Sequence, residues 1–208
     1  MLGYPSIGGP SYIMKKLFKF IKDKFLTFFG DIKVFKYPFW IVYDPCQYQV
    51  EGSKLREVLH TLKAGDILCR GYVNYLDGYF IPGKYSHSGI YVGGDTVIHS
   101  VAEGVCKCDV LDFLQCDCAC IVRPKDHKAI TLAIDRAHGY LGTNYDFNFS
   151  AGDEALYCHE LSARCYREKK ITKHIPKLLW GLIKGKEAVY LAESFIESED
   201  FEVVMEVE

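Results

Sequence analysis

Hydrophobic positions recur with a helical period near the start of the chain and with a strand period through its middle. Met14, Leu17, Phe18, Ile21, Phe25, Phe28 and Phe29 fall on one side at helical spacing, while Lys15, Lys16, Lys19 and Lys22 lie mostly opposite. That pattern predicts a basic amphipathic helix over 14–30. Residues 1–13 hold glycine and proline without periodicity and read as a loose arm. From 34 to 50 the chain is aromatic and β-branched but broken by Pro38 and Pro45, the mark of irregular edge strands. Leu55, Val58, Leu59 and Leu62 then predict a short helix over 53–62. The expected division is an arm with its helix, 1–33, and a body, 34–208, with no internal repeat or linker inside it.

The body is richer in signals. The segment 63–70 reads as a turn entering a strand, and 86–99 as two β-rich runs around Gly93-Gly94-Asp95, which is hairpin chemistry. The run 118–123 is a further strand, ended by Pro124. Residues 128–141 have a helical pattern closed by Gly142. A loop, 143–154, leads to a second helix over about 156–169, a third helical stretch spans 176–183, and an acidic strand-like segment closes the chain.

Composition narrows the function classes. Of 208 residues, 49% are hydrophobic and 14% aromatic, with 15 tyrosines and 13 phenylalanines, which favours a substantial sheet. Lysines and arginines (25) nearly cancel aspartates and glutamates (27), leaving −2 and no field to attract polyphosphate, so nucleic acid is not an expected partner. The apolar runs are broken by lysine well before the ~18 residues of a membrane span. An odd count of nine cysteines, with no secretory leader pattern, points to free thiols in the cytoplasm. The basic helix at 14–30 admits two readings, a peripheral anchor on an anionic membrane surface or a helix packed on the core with its lysines in water.

One constellation carries chemistry. Cys158 falls in the first turn of the helix that follows the 143–154 loop, where unpaired N–H groups and the helix dipole favour a thiolate and lower its pKa. A thiol nucleophile needs a base, and the base needs an orienter. His87 begins a strand between the small residues Ser86, Ser88 and Gly89, and His99 lies on the next strand of the same hairpin.

Four segments in this order, Lys63-Ala-Gly-Asp-Ile-Leu68, His87-Ser-Gly-Ile-Tyr-Val-Gly93, Val97-Ile-His99 and Tyr157-Cys-His-Glu-Leu161, resemble the circularly permuted branch of the NlpC/P60 cysteine hydrolases, in particular its YiiX/YebB-like group. The resemblance spans about residues 40 to 200, with the histidine strand ahead of the cysteine helix as the permutation requires. It implies an α+β fold, a permuted papain-like domain with an antiparallel, partly barrel-like sheet and packed helices. It assigns nucleophile, base and orienter to Cys158, His87 and His99. Gly142-Thr-Asn-Tyr145 is similar to the run that precedes the family's cysteine, so Tyr145 is expected to line the oxyanion or substrate site. Some permuted members carry a glutamate as third residue, which makes Glu103 the rival of His99.

The activity so implied is hydrolysis of an amide bond in a peptide or acyl-amide substrate, with cell-wall-type peptides among the candidates and no cofactor. Two other readings stand beside it. The superfamily includes lecithin:retinol acyltransferase-like enzymes, and the basic helix suits an acyl-ester or lipid substrate, although their Asn-Cys-Glu-His signature is replaced here by Tyr157-Cys158-His159-Glu160. The third is a non-catalytic binding module on an inherited scaffold. Cys106 with Cys108, and Cys116 with Cys118 and Cys120, alternate as strand residues do, but Cys-x-Cys is not the usual zinc knuckle, and no metal is expected.

Overall fold

Among the described residues the strands are β1 (Lys33–Val34), β2 (Ile41–Val42), β3 (Ile67–Gly71), β4 (His87–Gly93), β5 (Thr96–Val101), β6 (Gly104–Asp109), β7 (Cys118–Pro124) and β8 (Phe201–Val207). Six of them pair into one antiparallel sheet in the order β6-β5-β4-β3-β7-β8, while β1 and β2, from the expected irregular region, pair with each other. The helices of the body are α1 (Gly52–Thr61), α2 (Val110–Phe113), α3 (Lys128–Gly139), α4 (Cys158–Cys165) and α5 (Glu193–Ile196). This computed structural model describes residues 14–15, 17–22, 24–25, 33–34, 41–42, 48–73, 83–149, 154–175 and 188–208. The helical stretch expected at 176–183 lies outside them. Among the described residues no helix is long and apolar enough to cross a membrane.

Side chains alternate across a strand, so each face of the sheet builds its own core. Ile67, Cys69, Ile90 and Ile98 point to one face, where Ala133 and Ala137 of α3, Leu161 and Ala163 of α4 and Phe195 of α5 cover them. Leu68, Val97, Ala119 and Ile121 point to the other, beneath Val58 of α1 and Val110 and Phe113 of α2. The inner strand β7 is buried along its whole length, which explains the near-continuous apolar run Cys-Ala-Cys-Ile-Val. Each fully buried Leu, Ile or Phe contributes about 1.5–3 kcal/mol relative to exposure.

The turn before β3 fixes the sheet's register. Asp66 is buried and accepts from Lys63 N at 2.7 Å and from Arg123 Nε and Nη2 at 2.8 and 2.7 Å, a fork that ties β3 to β7. Gly65 at φ +94 lies against Ile130, where a Cβ would approach to 2.6 Å. Asp66 is thus structural, as its place beside a turn glycine suggests.

Two differences from the sequence pattern have local causes. The helix expected over 156–169 forms only over Cys158–Cys165. Leu156 instead donates to Asn144 O at 2.9 Å and accepts from Ser100 Oγ at 2.6 Å, and Tyr157 is extended, so the helix cannot begin before Cys158. At the other end buried Tyr166 turns its hydroxyl to Gly65 O, and the chain leaves the helix. The four-residue helices α2 and α5 are too short for a period to reveal them.

Candidate active site

The β4–β5 hairpin turns through Gly93, Gly94 and Asp95, all at positive φ, and its ladder pairs Gly89 with His99. His87, Gly89 and His99 therefore share the face that α2 covers. His87 Nε2 and His99 Nδ1 lie 3.0 Å apart. Phe113 packs on both rings, with centroids 5.6 Å from His87 and 5.5 Å from His99. The small residue between them is required, because a Cβ on Gly89 would stand 3.0 Å from His99 Cβ and 2.7 Å from Val97 Cγ1.

Cys158 is the first residue of α4 and is buried. Its sulfur lies 3.9 Å from Ser86 O, just ahead of the strand that carries His87. A buried polar chain locks the helix there. His159 Nδ1 meets Ser88 Oγ at 2.9 Å, Ser88 Oγ meets Ser162 Oγ at 3.0 Å, and Ser162 Oγ donates to Cys158 O at 3.4 Å. The structure thus joins His87 directly to His99, and Cys158 to the backbone of the residue before His87.

The electrostatics of the cysteine differ from the sequence expectation. Burial pushes the Cys158 thiol up to about 11, against the backbone N–H groups of Ser88, His159 and Cys158 itself, which pull it down. The helix N-terminus is present, but loss of water around a charged sulfur outweighs it. At rest the Cys158 side chain is a thiol. His87 is held well below its ordinary value, first by burial and then by the positive charge of Arg70, and the same two causes bring His99 to about 4. Both imidazoles are neutral at pH 7.

The sequence pattern does not single out Arg70. It pairs with His87 across β3 and β4, donates from Nη1 to Phe113 O at 2.8 Å, and lies over the Phe113 ring at 4.6 Å. The available signal is its period: it follows Leu68 on the same face of a strand next to the histidine strand. His159 is also hidden in the sequence, as a neighbour of the cysteine, and its buried Nε2 has no hydrogen-bond partner among the described residues.

Tyr145 is half-buried against Phe147, with ring centroids 4.8 Å apart. Its phenol is raised well above the ordinary value by burial and then by the charge Cys158 would carry, so the two groups are electrostatic neighbours. Glu103 is exposed in the β5–β6 turn, where its charge helps to raise the pKa of Cys106. Cys106 and Cys108 lie on β6 and Cys118 and Cys120 on β7, with three strands between. Among the described residues no three His, Cys, Asp or Glu side chains converge as a metal site.

A family model described as "permuted papain-like amidase enzyme, YaeF/YiiX, C92 family" matches residues 61–205. Among solved structures, the chain is similar to the metalloprotein YiiX from Escherichia coli O157:H7, with TM-score 0.59 and 18% identity over 71% of this chain and 98% of that one. This likeness shows the fold. No curated protein matches. YiiX is described as a metalloprotein, whereas no cluster of metal-ligating side chains is found among the described residues of this chain.

Proposed function

Because the chain belongs to the permuted papain-like amidase family, we propose that it hydrolyses an amide bond in a peptide or acyl-amide substrate through Cys158, His87 and His99. The observation that carries this reading is the 3.0 Å contact between His87 Nε2 and His99 Nδ1. In this reading Nε2 of His87 faces the orienter and Nδ1 is the nitrogen that serves the thiol. The proton is assigned to His87 Nε2, which donates to His99 Nδ1, with His99 carrying its own proton on Nε2 and His87 Nδ1 as the acceptor.

With thiol and imidazole both neutral at rest, attack and proton transfer are coupled. The Cys158 S–H bond breaks toward His87 Nδ1 as sulfur bonds to the carbonyl carbon, and the imidazolium then gives the proton to the leaving amine. Water, deprotonated by His87, releases the acyl group. His87 Nε2–H points at His99 in both protonation states, so the ring need not turn. The Cys158 N–H and the Tyr145 hydroxyl are the donors assigned to the oxyanion.

The test is hydrolysis of a panel of peptide and N-acyl p-nitroanilides by the full chain. Cys158→Ala should abolish nitroaniline release, and His87→Ala should lower kcat/KM about 10²- to 10⁴-fold. Release that survives Cys158→Ala would overturn the assignment.

A further inference from the structure

We propose that the N-terminal helix is a docking surface for an anionic lipid bilayer. The helical residues Met14, Leu17, Phe18 and Ile21 are 70%, 56%, 73% and 56% exposed. Their spacing of three and four residues places them in one stripe. Phe20 of the same helix, 59% exposed, stands apart from the stripe, and among the other described residues the exposed large apolar side chains, such as Leu111, Leu132 and Val203, are dispersed over separate elements. A contiguous apolar stripe in water marks an interaction surface, whereas scattered single residues do not.

Charge selects the partner. Residues 14–25 hold five lysines and one aspartate in a chain whose net charge is −2. Lys15, Lys19 and Lys24 are exposed. On the helical wheel Lys15 and Lys22 flank one edge of the stripe and Lys24 the other, the arrangement of a helix lying in a membrane interface. A symmetric pairing with a second copy would bring these lysines against one another, whereas anionic headgroups neutralise them.

Position links the helix to the site. Lys22 Nζ donates to Asn148 Oδ1 at 3.0 Å, three residues beyond Tyr145 on the same loop. A helix seated on a bilayer thus brings the Tyr145 loop to the lipid surface. Binding of the helix to lipid is measured without turnover and so is independent of the amidase activity.

The experiment is co-sedimentation of the full chain with vesicles of phosphatidylcholine alone and with vesicles in which about a third is phosphatidylglycerol. The chain should bind the anionic vesicles several-fold better, and raised salt should weaken that binding. The Leu17→Glu, Phe18→Glu, Ile21→Glu triple variant should stay in the supernatant. Lys15→Glu, Lys19→Glu, Lys24→Glu should lose the preference for anionic lipid. Unchanged circular dichroism spectra and Cys158 alkylation rates would show that the body of each variant is intact. Failure of the wild-type chain to sediment, or equal sedimentation of the apolar triple variant, would overturn the proposal. So would a doubled mass by light scattering that the same variant reverses, the sign of a second copy on this face.

Discussion

His99 stands opposite Gly89 in the β4–β5 ladder, yet its Nδ1 meets Nε2 of His87, one step diagonally along the sheet, at 3.0 Å. The diagonal contact exists because Gly89 projects nothing between the rings. A Cβ there would press on His99 and Val97.

Gly89→Ala should therefore act on stability and activity together. Overpacking of this kind costs about 1–3 kcal/mol, read as a lower urea midpoint. Activity should fall further than the loss of folded protein explains, because the methyl group displaces His99 from His87.

The identity of the orienter can be separated by paired variants. His99→Gln keeps a carbonyl that accepts from His87 Nε2 and should retain much of the activity, while His99→Ala frees the ring and should not. Glu103→Gln should be neutral, since Glu103 is exposed in a turn. A dead Glu103→Gln beside an active His99→Gln in one amidase assay would reverse the assignment.

The hairpin and its histidines are legible in the sequence because strand alternation and the Gly-Gly-Asp turn fix the face and register of each residue. The cysteine helix is legible as to place but not as to charge. A dipole at its N-terminus can be read from sequence, whereas burial, which sets the Cys158 thiol near 11, depends on which elements cover it. Arg70 is hidden for a similar reason: its effect on His87 arises from a neighbouring strand. The turn glycine and Asp66 are legible locally, but the Arg123 partner, 57 residues away, is not.

The pH profile should show these charges. His87 must be neutral to accept a proton, and its pKa is lowered, so kcat/KM should hold as pH falls through 6.5 and decline only below it. Removing the nearby cation in Arg70→Gln makes the imidazolium less costly and should move the acid limb upward. Alkylation of Cys158 should keep rising about tenfold per pH unit from 7 to 10, as a thiol near 11 requires. A plateau near neutrality would indicate a preformed thiolate.

Stability should fall in mild acid. His99 and His159 are buried with pKa values brought to about 4 and about 3, so between pH 6.5 and 4.5 the unfolded chain binds protons that the folded chain does not. Folding free energy is then lost as pH falls, by up to about 1.4 kcal/mol per pH unit for each such group. Urea midpoints across this range should drop, and His159→Gln should flatten the drop.

Acylation of Cys158 with His87 as its base can be tested by capturing the acyl group itself. After brief reaction of the full chain with p-nitrophenyl acetate, peptide mass spectrometry should find the acetyl group on Cys158, with a nitrophenol burst that His87→Ala abolishes. Acetylation of other residues with Cys158 unmodified, or an undiminished burst in His87→Ala, would contradict it.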